Sequence, residues 1–160
     1  MTDPNVRPAR ADDGPELALL EDAARAGLVD ARGGARWLEE HPRIGPDWAS
    51  AIAQRDVFVA ELADPVPVLA GYLVLDVAGA VATVDQVYVS PEARELGFGD
   101  ALLAAAWSRA ADAGAAILEG HALPGDRHIK NLYERAGITA RLITVSRVIN
   151  DPSSSADASR

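Results

Sequence analysis

The sequence predicts an α/β domain built on a mixed sheet. Three observations carry that reading: β-branched runs at residues 57–62, 68–77 and 81–89, a strongly helical segment at 97–113 lying between two strand-like runs, and the resulting order β-α-α-β-β-β-α-β-α-β. Runs joined by turns as short as Ala78-Gly79-Ala80 fold back as antiparallel hairpins. Two strands separated by a helix of that length instead require a right-handed parallel crossover.

Val6-Arg7-Pro8-Ala9-Arg10 reads as a short extended segment. Asp12-Asp13 before Pro15-Glu16 supplies an N-cap and a first-turn proline for a helix to about Ala26. Gly33-Gly34 then breaks the chain, residues 35–40 suit one or two helical turns, and Asp47 can cap a short helix ending near Arg55. Leu102, Leu103, Ala106, Trp107 and Ala110 recur at helical spacing in the segment 97–113, closed by Gly114. Residues 115–122 form the next strand, Pro124-Gly125-Asp126 opens a helix to about Ala136, and residues 138–149 supply a last strand or strand pair. The expected sheet has six or seven strands, with about four helices on its two faces. One domain is expected over residues 1–150, followed by a mobile tail at 151–160 that is rich in Ser, Asp and Ala.

The 160 residues are 49% hydrophobic and 24% charged, enough for a single core. Fifteen basic against twenty-four acidic residues leave a net charge of −9, which repels phosphate backbones and anionic lipid surfaces. Neither nucleic acid nor membrane is expected as a partner. Cysteine is absent, which excludes disulfides, thiolate metal sites and a Cys nucleophile, and three scattered His give no metal set. Without a leader-like or membrane-length apolar run, a soluble cytoplasmic protein is expected.

The chemistry concentrates in Val84-Asp85-Gln86-Val87-Tyr88-Val89-Ser90-Pro91-Glu92-Ala93-Arg94-Glu95-Leu96-Gly97-Phe98-Gly99. Two glycines let a backbone approach an anion closely, and unpaired N–H groups at a helix start attract it. A lone G-x-G also serves tight strand-to-helix packing. The competing phosphate motifs do not fit: Leu102 stands where a dinucleotide-binding fingerprint needs its third glycine, and Asp126-Arg127 where a Walker loop needs Lys and Ser or Thr. A strand of the form acidic-x-φ-Tyr-Val, a proline, and then R-x-x-G-x-G opening a helix resembles the GNAT superfamily of acyl-CoA-dependent N-acyltransferases. Residues 125–138, with Leu132-Tyr133 and Gly137, are similar to that family's G-N-x-x-A-x-x-L-Y-x-x-x-G-F helix.

The resemblance implies acetyl-CoA as co-substrate. It implies cofactor contacts from Val87, Tyr88, Val89, Arg94, Glu95, Leu96, Gly97, Phe98, Gly99, Asp100, Asp126 and Lys130, and parallel strands that splay where the acyl chain enters. It also implies Tyr133 as the general acid that protonates the departing thiolate. Asp85 is the candidate base, directly or through water, with an ordinary strand carboxylate as the alternative and His121 or His128 as weaker choices. Asp126 departs from the family's Asn, Ile129 from a small Ala, and Glu92, Glu95 and Asp100 surround the phosphate loop with negative charge. The implied reaction is direct acetyl transfer to a small-molecule or peptide amine, in a monomer or homodimer. The alternative is an acyl-CoA-binding regulatory module with little catalysis. Trp37, Glu39, Glu40 and His41 mark a variable region suited to a cationic acceptor.

Overall fold

The computed structural model describes residues 4–63 and 65–149. The tail expected at 151–160 lies outside them. Its strands are β1 (Asn5–Pro8), β2 (Asp56–Leu62), β3 (Val68–Ala78), β4 (Val81–Val89) and β5 (Ile117–Gly120), and its helices are α1 (Gly14–Ala26), α2 (Gly34–Glu40), α3 (Trp48–Gln54), α4 (Phe98–Asp112) and α5 (Arg127–Arg135). The sheet order is β1-β2-β3-β4-β5, with antiparallel pairing throughout except for the parallel pair β4 and β5. The mixed α/β class therefore holds.

Two apolar layers cover the sheet, one on each face. On one face, Leu102, Leu103, Ala106 and Ala110 of α4 and Leu132 of α5 pack with Leu73, Leu75, Ala82 and Val84. On the other, Leu17 of α1 and Trp48 of α3 pack with Val57, Val59, Tyr72 and Val74. Alternation along β3 explains the split, since successive side chains of a strand point to opposite faces. Trp107, read from its spacing as part of the core stripe of α4, is instead 57% exposed.

The region between α1 and β2 is held by one carboxylate. Glu21 is fully buried and accepts from the Ile44 N–H at 2.7 Å, the Gly45 N–H at 2.9 Å and the Trp48 indole Nε1–H at 3.2 Å. A charge without solvent is tolerated here because every donor aimed at it is itself in need of an acceptor. At the start of α1, Asp13 does not cap the helix with its side chain. Its carboxylate takes two bonds from Arg7, at 2.8 and 3.0 Å, and one from the Arg10 N–H. Arg7 also holds Glu61, so the network ties β1, β2 and α1 together.

Three further details differ from the sequence reading. Residues 138–149 form no strand, so the sheet has five strands among the described residues rather than six or seven. Ile138, Ala140, Leu142 and Val148 share one parity, but Leu142, Ile143, Val145, Val148 and Ile149 are all exposed, and no strand among the described residues pairs with the segment. Strand β5 covers only 117–120 of the expected 115–122, because its pairing with β4 stops at Val84 and Gly120. Among the described residues there are five α-helices where about four were expected, since residues 34–40 form a helix of their own.

Replacing Glu21 by Ala should destabilise the protein by about 3 kcal/mol, since it strands buried donors. Glu21→Gln should cost less, because one acceptor oxygen is kept. Urea unfolding checks both, and equal stability of the Ala variant and the parent would show that solvent reaches these groups.

Candidate active site

The site begins with an irregularity in β4. Val74 pairs with Gln86 but Leu75 pairs with Val84, which leaves Asp85 as an extra, bulged residue. The parallel pairing of β4 with β5 ends next to it, at Val84 and Gly120. Beyond that point the two strands part and leave an opening between β4 and the chain that follows β5. The expected parallel pair is thus present, confined to four residue pairs.

The β4 side of the opening carries free backbone groups. Ser90 N–H donates to Ala70 O at 2.8 Å, toward β3. By alternation, Val89 and Val87 direct their N–H and C=O groups the other way, into the opening. The Val89 carbonyl there accepts from Arg94 Nε at 3.1 Å. Tyr88 turns its ring to the opposite face, 6.3 Å from that of Tyr72, and burial raises its phenol above the ordinary range.

Past β4 the chain forms a cradle of amides. Glu95 and Gly97 both adopt left-handed backbone, with φ of 66° and 85°. That alternation curls the loop, and α4 begins at Phe98 with no side chain capping it. The N–H groups of residues 95–100 find no acceptor among the described residues. Free amide donors at a helix start suit an anion such as a phosphate. The side chains contribute less than the backbone. Phe98 points into the core and Leu96 is 55% exposed. Asp100 bonds Arg135 at 3.2 Å, and Lys130 lies 3.8 Å from Glu134.

Gly99 has a second role. A Cβ there would come within 2.9 Å of Leu132, so the glycine lets α4 and α5 pack closely. Asp126 caps α5, its Oδ1 accepting the Ile129 N–H at 3.2 Å.

Tyr133 closes the opening from below. Its ring lies across Gly120, where a Cβ would come within 2.3 Å of the hydroxyl oxygen. The residue is 6% exposed, and burial, then the carboxylates of Asp126 and Asp85, push the phenol well above its ordinary range. It stays protonated at neutral pH. Asp85 is held by Arg55, whose Nη2 donates to Oδ2 at 2.7 Å, and the same guanidinium grips Asp76. Oδ1 of Asp85 has no partner among the described residues. On the α2 side, the Trp37 ring stacks on His41 at 3.5 Å and lies 5.3 Å from His121, the residue after Gly120. Arg25 fixes α2 there by donating to the carbonyls of His41 and Leu38 at 2.7 and 3.1 Å.

The structure therefore brings Asp85, Val87, Val89, Tyr133 and the loop 94–99 around one opening. Lys130, Asp100 and the side chains of Tyr88 and Phe98 are engaged elsewhere. Gly120 and Arg55 had no role in the sequence reading. Glycine inside a strand pattern is a signal of close approach and could have flagged Gly120, whereas nothing local marks Arg55. No cluster of His, Cys, Asp or Glu among the described residues could hold a metal ion, and none of the described helices is long and apolar enough to cross a membrane.

The same architecture recurs in solved structures. An aminoglycoside acetyltransferase, meta-AAC0020 from an uncultured soil metagenomic sample, aligns with a TM-score of 0.68 at 18% identity, covering 91% of this chain and 95% of its own. AAC(6')-Iy in complex with the bisubstrate analogue CoA-S-monomethyl-acetylneamine aligns at 0.63 and 17%, covering 92% and 99%. Ribosomal-protein-alanine N-acetyltransferase from Brucella melitensis biovar Abortus aligns at 0.60 and 20%, also covering 92% and 99%. At these identities the likeness is one of fold. No curated protein matches the chain in sequence. The acetyltransferase (GNAT) domain does match, over residues 53–137, from the end of α3 through β4, the amide cradle and Tyr133 to Gly137. With more than half of its length matched, this chain belongs to the GNAT acetyltransferase family.

Proposed function

We propose that this protein transfers an acetyl group from acetyl-CoA to a primary amine by direct attack, without a covalent enzyme intermediate. The observation that carries the reading is the convergence of three features on one opening: free backbone groups of β4, an amide cradle at the start of α4, and a protonated phenol lying on Gly120. The fold shared with a protein holding a CoA-linked bisubstrate analogue supports it.

In this reading the N–H groups of residues 95–100 bind the pyrophosphate, and Arg94 adds positive charge. Val87 and Val89 bond the pantetheine arm along β4, and the Val89 N–H polarises the thioester carbonyl. The attacking amine must first lose a proton. Oδ1 of Asp85 accepts it directly or through a water, while Arg55 fixes the carboxylate. Tyr133 then hydrogen-bonds the departing sulfur. Its raised pKa keeps the proton in place but makes the phenol a weaker acid, so it stabilises the thiolate as a donor more than by full proton transfer.

The acceptor enters past Trp37, His41 and His121, whose rings wall the opening next to Gly120. With Glu39 exposed on the same helix and a net charge of −9, the wall suits a cationic amine. Glu40 contributes less, because Arg36 already pairs with it at 2.7 Å. An aminoglycoside acetyltransferase of the same fold is consistent with a polyamine-like acceptor. A second reading, an acyl-CoA-binding module with little turnover, draws on the engagement of Asp85 by Arg55 and on the acidic residues around the cradle. Thiol release with a panel of amines separates the two.

Saturating acetyl-CoA should raise the melting temperature by about 5 °C, equivalent to about 2–3 kcal/mol of linkage. Gly97→Val should abolish that shift, because a β-branched residue resists φ of 85°. Glu95→Gly should enlarge it by relieving a left-handed non-glycine and removing a carboxylate. An unmoved melting temperature in the parent would end the acyl-CoA reading.

Tyr133→Phe should lower kcat about 10²-fold with acetyl-CoA affinity nearly unchanged. Gly120→Ala should match that loss by displacing the phenol, and turnover at the parent rate in both variants would make Tyr133 a packing residue. Trp37→Ala should raise the KM for a cationic amine about 10-fold while leaving the KM for acetyl-CoA alone. Equal loss toward neutral amines would remove the electrostatic part of the argument.

A further inference from the structure

His128 lies on the face of α5 that packs against the start of α4. Leu132, one turn further along the same face, is fully buried and fills the space into which a Gly99 Cβ would project. The imidazole is partly buried, and its Nε2 is enclosed with no hydrogen-bond partner. A ring nitrogen shut away from water without a bond costs free energy that the fold recovers nowhere else on this face. The charged groups around it are Arg94 and Glu95 of the loop, Asp126 at the start of α5 and Arg135 at its end. Asp100 of α4 faces the same junction through its pair with Arg135.

We propose that His128 is part of the anion cradle, and that its imidazole takes up a proton as an acyl-CoA ester binds, so that Nε2 donates a hydrogen bond to the pyrophosphate. The inference rests on the acyl-CoA reading above. The cations near the cradle are Arg94, whose Nε donates to the Val89 carbonyl, Arg127, Lys130 beside Glu134 and Arg135 on Asp100, and Glu92, Glu95 and Asp100 offset them with negative charge. Without a ligand, burial first and Arg94 second hold the imidazole below its ordinary range, so it is neutral at pH 7. A doubly charged pyrophosphate reverses that balance by favouring the imidazolium and supplying the missing acceptor.

The test is calorimetric titration of the full chain with acetyl-dephospho-CoA, which lacks the 3′-phosphate and its own ionisation near pH ~6. Two buffers of different ionisation heat at pH 7.5 read the proton count. The expected result is uptake of up to about one proton per site, with affinity rising by up to about 10-fold per unit as pH falls from 8 toward 6.5. In His128→Gln both effects should vanish and binding should weaken about 10-fold. Should that variant fold poorly, nitrogen NMR of the parent's imidazole reads the same event, as an upward move of the His128 titration on binding. Tight binding with no proton uptake, or equal uptake in parent and variant, overturns the role of His128 and leaves the acyl-CoA site standing. Absence of any binding by the parent overturns both.

Discussion

Asp85 is one residue more than β3 can pair with, and the parting of β4 from β5 follows from it. A parallel pair that stayed in register past Val84 would satisfy the backbone groups of Val87 and Val89 with another strand. Because the pairing stops at Gly120, those groups are left to face an opening, and the chain leaving β5 carries His121 away toward α2. The same residue supplies the carboxylate that Arg55 steadies. The bulged residue thus lies where the β4–β5 pairing ends and also supplies one of the charged groups there.

The sheet divides the labour between its faces. The layer of α4 and α5 presents the amide cradle, Tyr133 and His128, and it is joined closely because Gly99 gives Leu132 room. The layer of α1 and α3, anchored on Glu21, positions the segment that carries Trp37 and His41. The two groups of candidate site residues therefore depend on different packing, and substitutions in the α1–α3 layer can shift Trp37 and His41 while the loop at the start of α4 is left intact.

The parts legible in the sequence were those whose signals are local. Strand β4, helix α4 with its left-handed glycine just beyond, and the proline in the first turn of α1 all fall where periodicity and punctuation put them. The amide cradle was legible because glycine spacing and a helix start are both written in consecutive residues. What was not legible depends on distant partners. The contact of Tyr133 with Gly120 joins residues thirteen positions apart on different elements, and Arg55 meets Asp85 across thirty. Residues 138–149 misled for another reason: their β-branched content suggests a strand, but a strand also needs a partner edge, and none of the described strands pairs with this segment.

A cradle formed by main-chain amides responds to sequence change in its own way. No side-chain replacement at position 95 or 96 deletes a donor unless it is proline, so the exposed Leu96 can drift while the row of amides persists, whereas Phe98 is fixed by the core. What drifts is the local potential. Leu96 and the acidic neighbours of the loop are then adjustable weights on a fixed receptor. Under the proposed acyl-CoA role, a lineage carrying this loop could move its affinity toward rapid exchange or long retention by changes at Leu96 and the acidic neighbours alone, with the main-chain donors kept throughout.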